Sequence, residues 1–321
     1  MHIFEYSSVT ESIPSDIVET IMAIESKRAL DELRVKAYSK ELEKTMDNWL
    51  EDNAYSSCIL EGSEKDDEVD AYASCLRKML KEMDDLEGDQ YSILQIHRTL
   101  FYDTTRKESR FRIRDMPVDV RHTSAIHPPS AREVGPSMEQ MLESFNVALD
   151  VGVKPILLVP CMILDYLNIF PFQEGNWRTS RLMTQLFLMK NGFEALRYVP
   201  LDGHIGASTE DYYDSISESS DGWRNNDSDP FPFIRFVCEM VLECYEEFES
   251  RYPLSNGKKL KKGERIEHLL SESDSPLSKA HICAALPDIS IRTADVVLSE
   301  LISEGKVKKI GSYKDARYEH I

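Results

Sequence analysis

Residues 170–181 read Phe-Pro-Phe-Gln-Glu-Gly-Asn-Trp-Arg-Thr-Ser-Arg, placing an acid, a Gly-Asn pair and two arginines between two apolar runs. That combination suits a phosphate site. Gly175 and Asn176 would open a helix whose first amides and positive dipole end attract an anion. Arg178 and Arg181 are three apart, so both fall on one face of its first turns, as a pair gripping a polyphosphate would. Glu174 is placed to hold a divalent metal against such phosphates. The flanking runs, 155–169 and 182–189, are almost wholly apolar and predict two buried helices, the second capped by Asn191-Gly192.

The stretch resembles the signature of the Fic family, His-Pro-Phe-x-[Asp/Glu]-Gly-Asn-Gly-Arg-x-x-Arg, with two departures. Phe170 stands at the histidine and Trp177 at the second glycine. In the family the histidine takes the proton from a target hydroxyl that attacks the α-phosphate of ATP. A phenylalanine accepts no proton at any pH. Upstream, residues 55–62 resemble the family's inhibitory motif, satisfied by Ser57, Glu61 and Gly62. The resemblance implies that Glu61 lies on a helix, pairs with Arg181 and blocks the productive ATP pose. It also implies ATP and Mg2+ as cofactors, with Gly175, Asn176, Arg178 and Arg181 on the nucleotide and Glu174 on the metal.

Further segments resemble the family in the same order. Ile96-His97-Arg98 matches the helix before its β-hairpin flap, Arg110-Phe111-Arg112 the flap entry, and 126–130 the Pro-Pro segment that follows. Residues 211–214 and 219–232 resemble the C-terminal part of members that carry an added DNA-binding-like domain. Tyr212 and Tyr213 are candidates to flank an adenine, although helix packing is the favoured role. His97, His122 and His127 are not favoured as replacement bases, because no motif brings them to the substrate proton.

Composition sets the class. The 321 residues are 41% apolar and 30% charged, as in an ordinary globular protein. Net charge is −19, unevenly spread: residues 258–321 carry 12 basic against 10 acidic side chains, and the remainder 26 against 47. The larger part therefore repels nucleic acid. The six cysteines show no metal-binding spacing and are expected to be reduced and packed. No secretory leader pattern and no membrane-length apolar run are visible, so a cytoplasmic chain with no membrane partner is expected.

Periodicity supplies the elements that position the loop. Apolar spacing over 15–50 predicts helix, 64–70 reads as a solvated charge run, and 110–120 has strand character suited to a short hairpin. Polar residues 215–229 predict a loop. The lysine-rich stretch 253–262 reads as a linker, followed by helical patterns at 264–270, 278–286 and 290–303 and two short strands at 305–310 and 317–321. Three helices and a β-wing make a winged helix. The expected fold is mainly α: a Fic-type helical core with a β-hairpin flap, then a winged helix. The expected domains are an N-terminal helical region with the inhibitory motif over 1–90, the core over 91–252, the linker, and the winged helix over 263–321.

The leading functional expectation is a nucleotide-binding regulator with a degenerate AMP-transfer site, its protein target docked on the flap. The alternatives are an active adenylyltransferase, an AMP-removing hydrolase using Glu61, and a DNA-binding regulator. Acids on the third helix of the winged module disfavour DNA. They leave a protein contact, a homodimer among the possibilities, made through Val297, Leu301 and their neighbours.

Overall fold

The computed structural model describes residues 4–63, 66–83, 89–101, 113–312 and 315–321. The chain groups into two units, one of residues 1–25 and 48–244, the other of 26–47 and 245–321. In the first unit the helices are α1 (Ser15–Arg28, to residue 25), α2 (Asp31–Ile59, from residue 48), α3 (Asp66–Lys81) and α4 (Gln90–Leu100). They continue with α5 (Ala131–Asp150), α6 (Pro155–Ile169), α7 (Asn176–Lys190), α8 (Leu201–Ala207), α9 (Thr209–Ser220) and α10 (Phe231–Arg251, to residue 244).

Helix α6 is the core of this unit because its sequence is apolar on every face; Ile156 to Ile169 are all buried. Helices α5 and α7 pack beside it. Its one buried acid, Asp165, accepts hydrogen bonds from Tyr6 Oη and Trp223 Nε1, both at 2.6 Å. Burial pushes that carboxyl up to about 6.

Of the loop expected over 215–229, residues 215–220 instead belong to α9, because Tyr212, Ile216, Ser219 and Ser220 fall on one face of that helix and are buried, the serines small enough for close approach. Of the flap, Arg110, Phe111 and Arg112 lie outside the described residues; after them an isolated bridge pairs Ile113 with Phe172.

In the second unit, 253–262 is not a bare linker. Leu254–Ser255 (β1) and Lys258–Lys259 (β2) pair antiparallel about Asn256-Gly257, a turn sequence obscured by the surrounding lysines. Tyr38 holds both ends, donating to the Pro253 carbonyl at 2.6 Å and accepting from the Leu260 amide at 2.9 Å. Helices α11 (Lys262–Ser271), α12 (Lys279–Ala285) and α13 (Ile291–Ser303) then pack on a three-stranded antiparallel sheet. Its order is β3 (Leu277–Ser278), β5 (Arg317–His320), β4 (Val307–Ile310). Ser278 and Ser290 cap α12 and α13, accepting from His281 and Thr293 amides. Arg265 is buried between the rings of Tyr38 and Tyr252 and forks onto Asp288 at 2.8 and 2.9 Å. Val297 and Leu301 are 9% and 5% exposed and belong to this unit's own core, so they are not free to dock a partner. All six cysteines are unbridged, and five are buried.

Candidate functional site

The segment between α6 and α7 is held by buried braces before any ligand is considered. Helix α6 stops because Phe170 turns left-handed, at φ 49° and ψ 66°, a conformation costly for a branched or bulky side chain. Arg114 fixes it there, donating from Nε to the Phe170 carbonyl at 2.9 Å and from its backbone amide to the Pro171 carbonyl. Asn176 then staples the loop, its Oδ1 accepting from the Phe172 amide and its Nδ2 donating to the Phe172 carbonyl. His97 braces the far side. Its Nε2 lies 3.0 Å from the Glu174 carbonyl, which can only accept, so Nε2 carries the proton. Its ring stacks on Phe172 at 3.6 Å, and burial lowers its pKa to about 4. His97 is therefore a neutral strut under the loop.

Gly175 is dictated by packing. Its φ is +76°, and a Cβ there would come within 2.5 Å of the Phe101 ring. It sets α7 going, with the Thr179 amide closing the first turn on its carbonyl. The amides of residues 176–178 precede that first helical bond and form the free positive end of α7.

A cavity of about 320 Å³ opens over this end, lined by Phe170, Glu174, Gly175, Asn176, Trp177 and Arg178, with Glu61, Asp119, Arg121 and His122 among the facing residues. Of the residues expected on a nucleotide, Arg181 is missing from its wall. Arg181 is 1% exposed and points into the unit. Its Nε donates to Ser57 Oγ at 2.9 Å, and its Nη2 donates to the Ser57 carbonyl at 2.8 Å and to Glu61 at 2.9 Å. Asp202, itself fully buried and accepting from Tyr72 Oη at 2.6 Å, lies 3.9 Å from Arg181.

Ser57, in the last turn of α2, and Glu61, just beyond it, both reach Arg181. Glu61 is not on the helix, however. Helix α2 ends at Ile59, and Gly62, left-handed at φ +70°, accepts the capping geometry that turns the chain out, its amide donating to the Ile59 carbonyl. Glu61 sits in this turn and bridges both arginines, its second oxygen 3.3 Å from Arg178 Nε. Arg178 meets a further acid that sequence reasoning placed in a solvated run: Glu68, 3% exposed, lies 3.0 Å from Arg178 Nη1.

Phe170 and Trp177 form the apolar part of the site. Phe170 is 4% exposed, with its ring edge-on to Trp177 at 6.0 Å. Trp177 is also met edge-on by His122 at 5.7 Å and Tyr213 at 5.3 Å. Tyr213 is committed elsewhere too, donating to the Leu60 carbonyl and stacking on His122 at 4.4 Å. Neither Tyr212 nor Tyr213 is in the cavity wall. His122 does reach it, with its pKa lowered chiefly by burial; His127 lines a separate cleft with Trp223 and Arg224. Glu174 lines the cavity, and a single carboxylate together with ligand phosphates is a donor set of the kind a magnesium ion accepts.

A helical core presenting a Gly-Asn helix end to a cavity, with an acid folded back onto its arginines, defines the class, and comparison gives the family of the segment that carries it. Residues 88–188 match the Fic/DOC family, so this segment of the chain is a Fic domain. It is 29% identical over 171 residues to Protein adenylyltransferase Fic of Nematostella vectensis, a match covering 51% of this chain and 35% of that relative. It is 26% identical over 159 residues to Protein adenylyltransferase fic-1 of Caenorhabditis elegans, covering 50% and 28%. The chain thus matches well under half the length of either relative. Among solved structures, a Fic family protein from Desulfovibrio desulfuricans G20 aligns at TM-score 0.60 and 17% identity over 97% of each chain. A fragment of Fic-1 from C. elegans aligns at TM-score 0.55 and 20% identity, over 72% of this chain and 70% of that one. These likenesses establish the fold.

Proposed function

We propose that this chain is a nucleotide-sensing Fic protein in which AMP transfer to protein hydroxyls is disabled, so that it acts as a regulator. The observation that carries this reading is Phe170: the side chain at the signature's base position is apolar and buried, on a backbone held by Arg114, and offers no lone pair to a hydroxyl proton. The α7 amides and Arg178 would receive the phosphates of ATP and Glu174 the magnesium ion, which when bound neutralises phosphate charge. A protein target would dock by strand addition along the flap. The winged-helix reading of the second unit makes it a protein-contact module, and the whole is read as cytoplasmic; among the described residues no helix is long and apolar enough to cross a membrane.

The hydrolase reading is weakened because both Glu61 oxygens are engaged by arginines, leaving neither to activate water. The DNA reading is weakened because wing lysines are met by acids: Lys306 by Glu267 and Glu304, Lys308 by Glu319. The test is incorporation of label from ATP carrying it on the α-phosphate, in wild type and Glu61→Gly. A general base typically contributes about 10²–10⁴-fold, so no labelling is expected in either. Time-dependent self-labelling or target labelling by Glu61→Gly that is lost on adding Arg178→Ala would overturn the reading.

A further inference from the structure

The inhibitory pairing implied by the sequence involves one acid and one arginine, Glu61 and Arg181. The structure holds a larger set. Arg178, the arginine that does face the cavity, is gripped by Glu68 at 3.0 Å and Glu61 at 3.3 Å, with its guanidinium 5.8 Å from the Phe101 ring. Arg181 is held by Glu61 and faces Asp202. Two guanidiniums therefore meet three carboxylates, so neither of these arginines is left unpaired for an incoming polyphosphate.

We propose that Glu68 is a second lock on this site, so that releasing Glu61 alone leaves the nucleotide position closed. The inference rests on the nucleotide-binding reading above. Glu68 is suited to the task by place and burial. It sits in the first turn of the 16-residue helix α3, where the helix dipole stabilises a carboxylate, and its side chain is 4% exposed. It belongs to a different element from Glu61, which occupies the turn after α2.

Burial also fixes how the lock must open. If a phosphate takes Arg178 while α3 stays in place, the buried Glu68 carboxylate loses the Arg178 cation. That is costly for any ionised group. Opening therefore requires the first turn of α3 to shift toward water. A ligand that engages Arg178 should make α3 report its arrival, and a ligand confined to the outer cavity should not.

The experiment uses the full chain as wild type, Glu61→Gly, Glu68→Gln and the double variant, each checked for an unchanged helical spectrum and a cooperative melt. Binding of a non-hydrolysable ATP analogue with Mg2+ is measured by calorimetry, and amide exchange is followed over residues 66–72 with and without the analogue. Wild type and both single variants should bind at least tenfold more weakly than the double variant, and the analogue should accelerate exchange in the first turn of α3 in Glu61→Gly. Binding by Glu61→Gly within twofold of the double variant would overturn the second lock while leaving the nucleotide reading intact. A folded double variant that binds no analogue would overturn both.

Discussion

Replacing Arg181 with alanine tests the claim that this arginine is structural before it is a ligand contact. The guanidinium is 1% exposed and joins the Ser57 hydroxyl, the Ser57 carbonyl and Glu61, with Asp202 beside it. Deleting one partner of such a buried set strands the others, at a cost of roughly 3–5 kcal/mol. Asp202 is the most exposed to this loss, being 0% accessible. In the Arg181→Ala background, Asp202→Asn should recover about 1–3 kcal/mol, because the amide oxygen still accepts from Tyr72 while the stranded charge is gone. The pH dependence gives an independent sign. Burial already raises the Asp202 carboxyl and Arg181 opposes that rise, so without the arginine the folded-state value climbs further. A raised folded value means the folded state binds the proton more readily, so the variant's deficit should shrink as pH falls toward the ordinary value of 3.8. Urea denaturation of the four proteins at pH 7 and pH 5 measures both effects. A deficit below about 1 kcal/mol, the scale of an exposed pair, or no rescue by Asp202→Asn, would refute the reasoning.

Three further outcomes are expected. Phe170→His alone should label weakly with α-labelled ATP, because the indole of Trp177 and the acids still occupy the site; Phe170→His with Trp177→Gly and Glu61→Gly should label, and full activity of the single variant would remove Trp177 as an obstruction. Gly175→Ala should lose about 1–2 kcal/mol to its left-handed backbone plus a clash with Phe101, and Phe101→Leu should return the clash and leave the backbone cost, as thermal melts can separate. For Asp165, raised to about 6 from 3.8, the folded state holds the proton longer than the unfolded chain. Its contribution is therefore full below pH 4 and fades as pH rises through 6, by about 3 kcal/mol at 1.36 kcal/mol per unit, and denaturation of wild type against Asp165→Asn across that range should show the difference narrow.

The parts of the site that could be read in the sequence are those fixed by local spacing. The helices on either side of the loop follow from uninterrupted apolar runs, while the pairing of Glu61 with Arg181 is what the resemblance to the Fic motifs implies and not a product of spacing alone. What stayed hidden was set by contacts between distant segments. Glu68 follows two aspartates and looks like part of a solvated start; only the approach of α7 gives it a buried arginine. Arg114 and His97 act on carbonyls, which leave no mark on side-chain pattern. Helix α9 buries two serines, so its inward face carries little hydrophobic signal, and the hairpin at 254–259 had its Asn-Gly turn but not the alternating apolar residues that normally accompany one. Val297 and Leu301 were misplaced because the periodicity of α13 marks an apolar face without saying whether it is filled from the same unit.

The bracing of residues 170–176 changes what a surviving motif means. Gly175 avoids the Phe101 ring, Asn176 satisfies both polar groups of Phe172, and Arg181 neutralises buried acids, so a lineage that stopped binding nucleotide would still lose stability on changing any of them. Selection for a folded chain is enough to keep those letters in place. In a saturation library selected only for folding, 175, 176 and 181 should therefore stay fixed. Retention of the glycine, the asparagine and the arginine is then a mark of the fold, and only ligand binding itself tells a working site from its fossil.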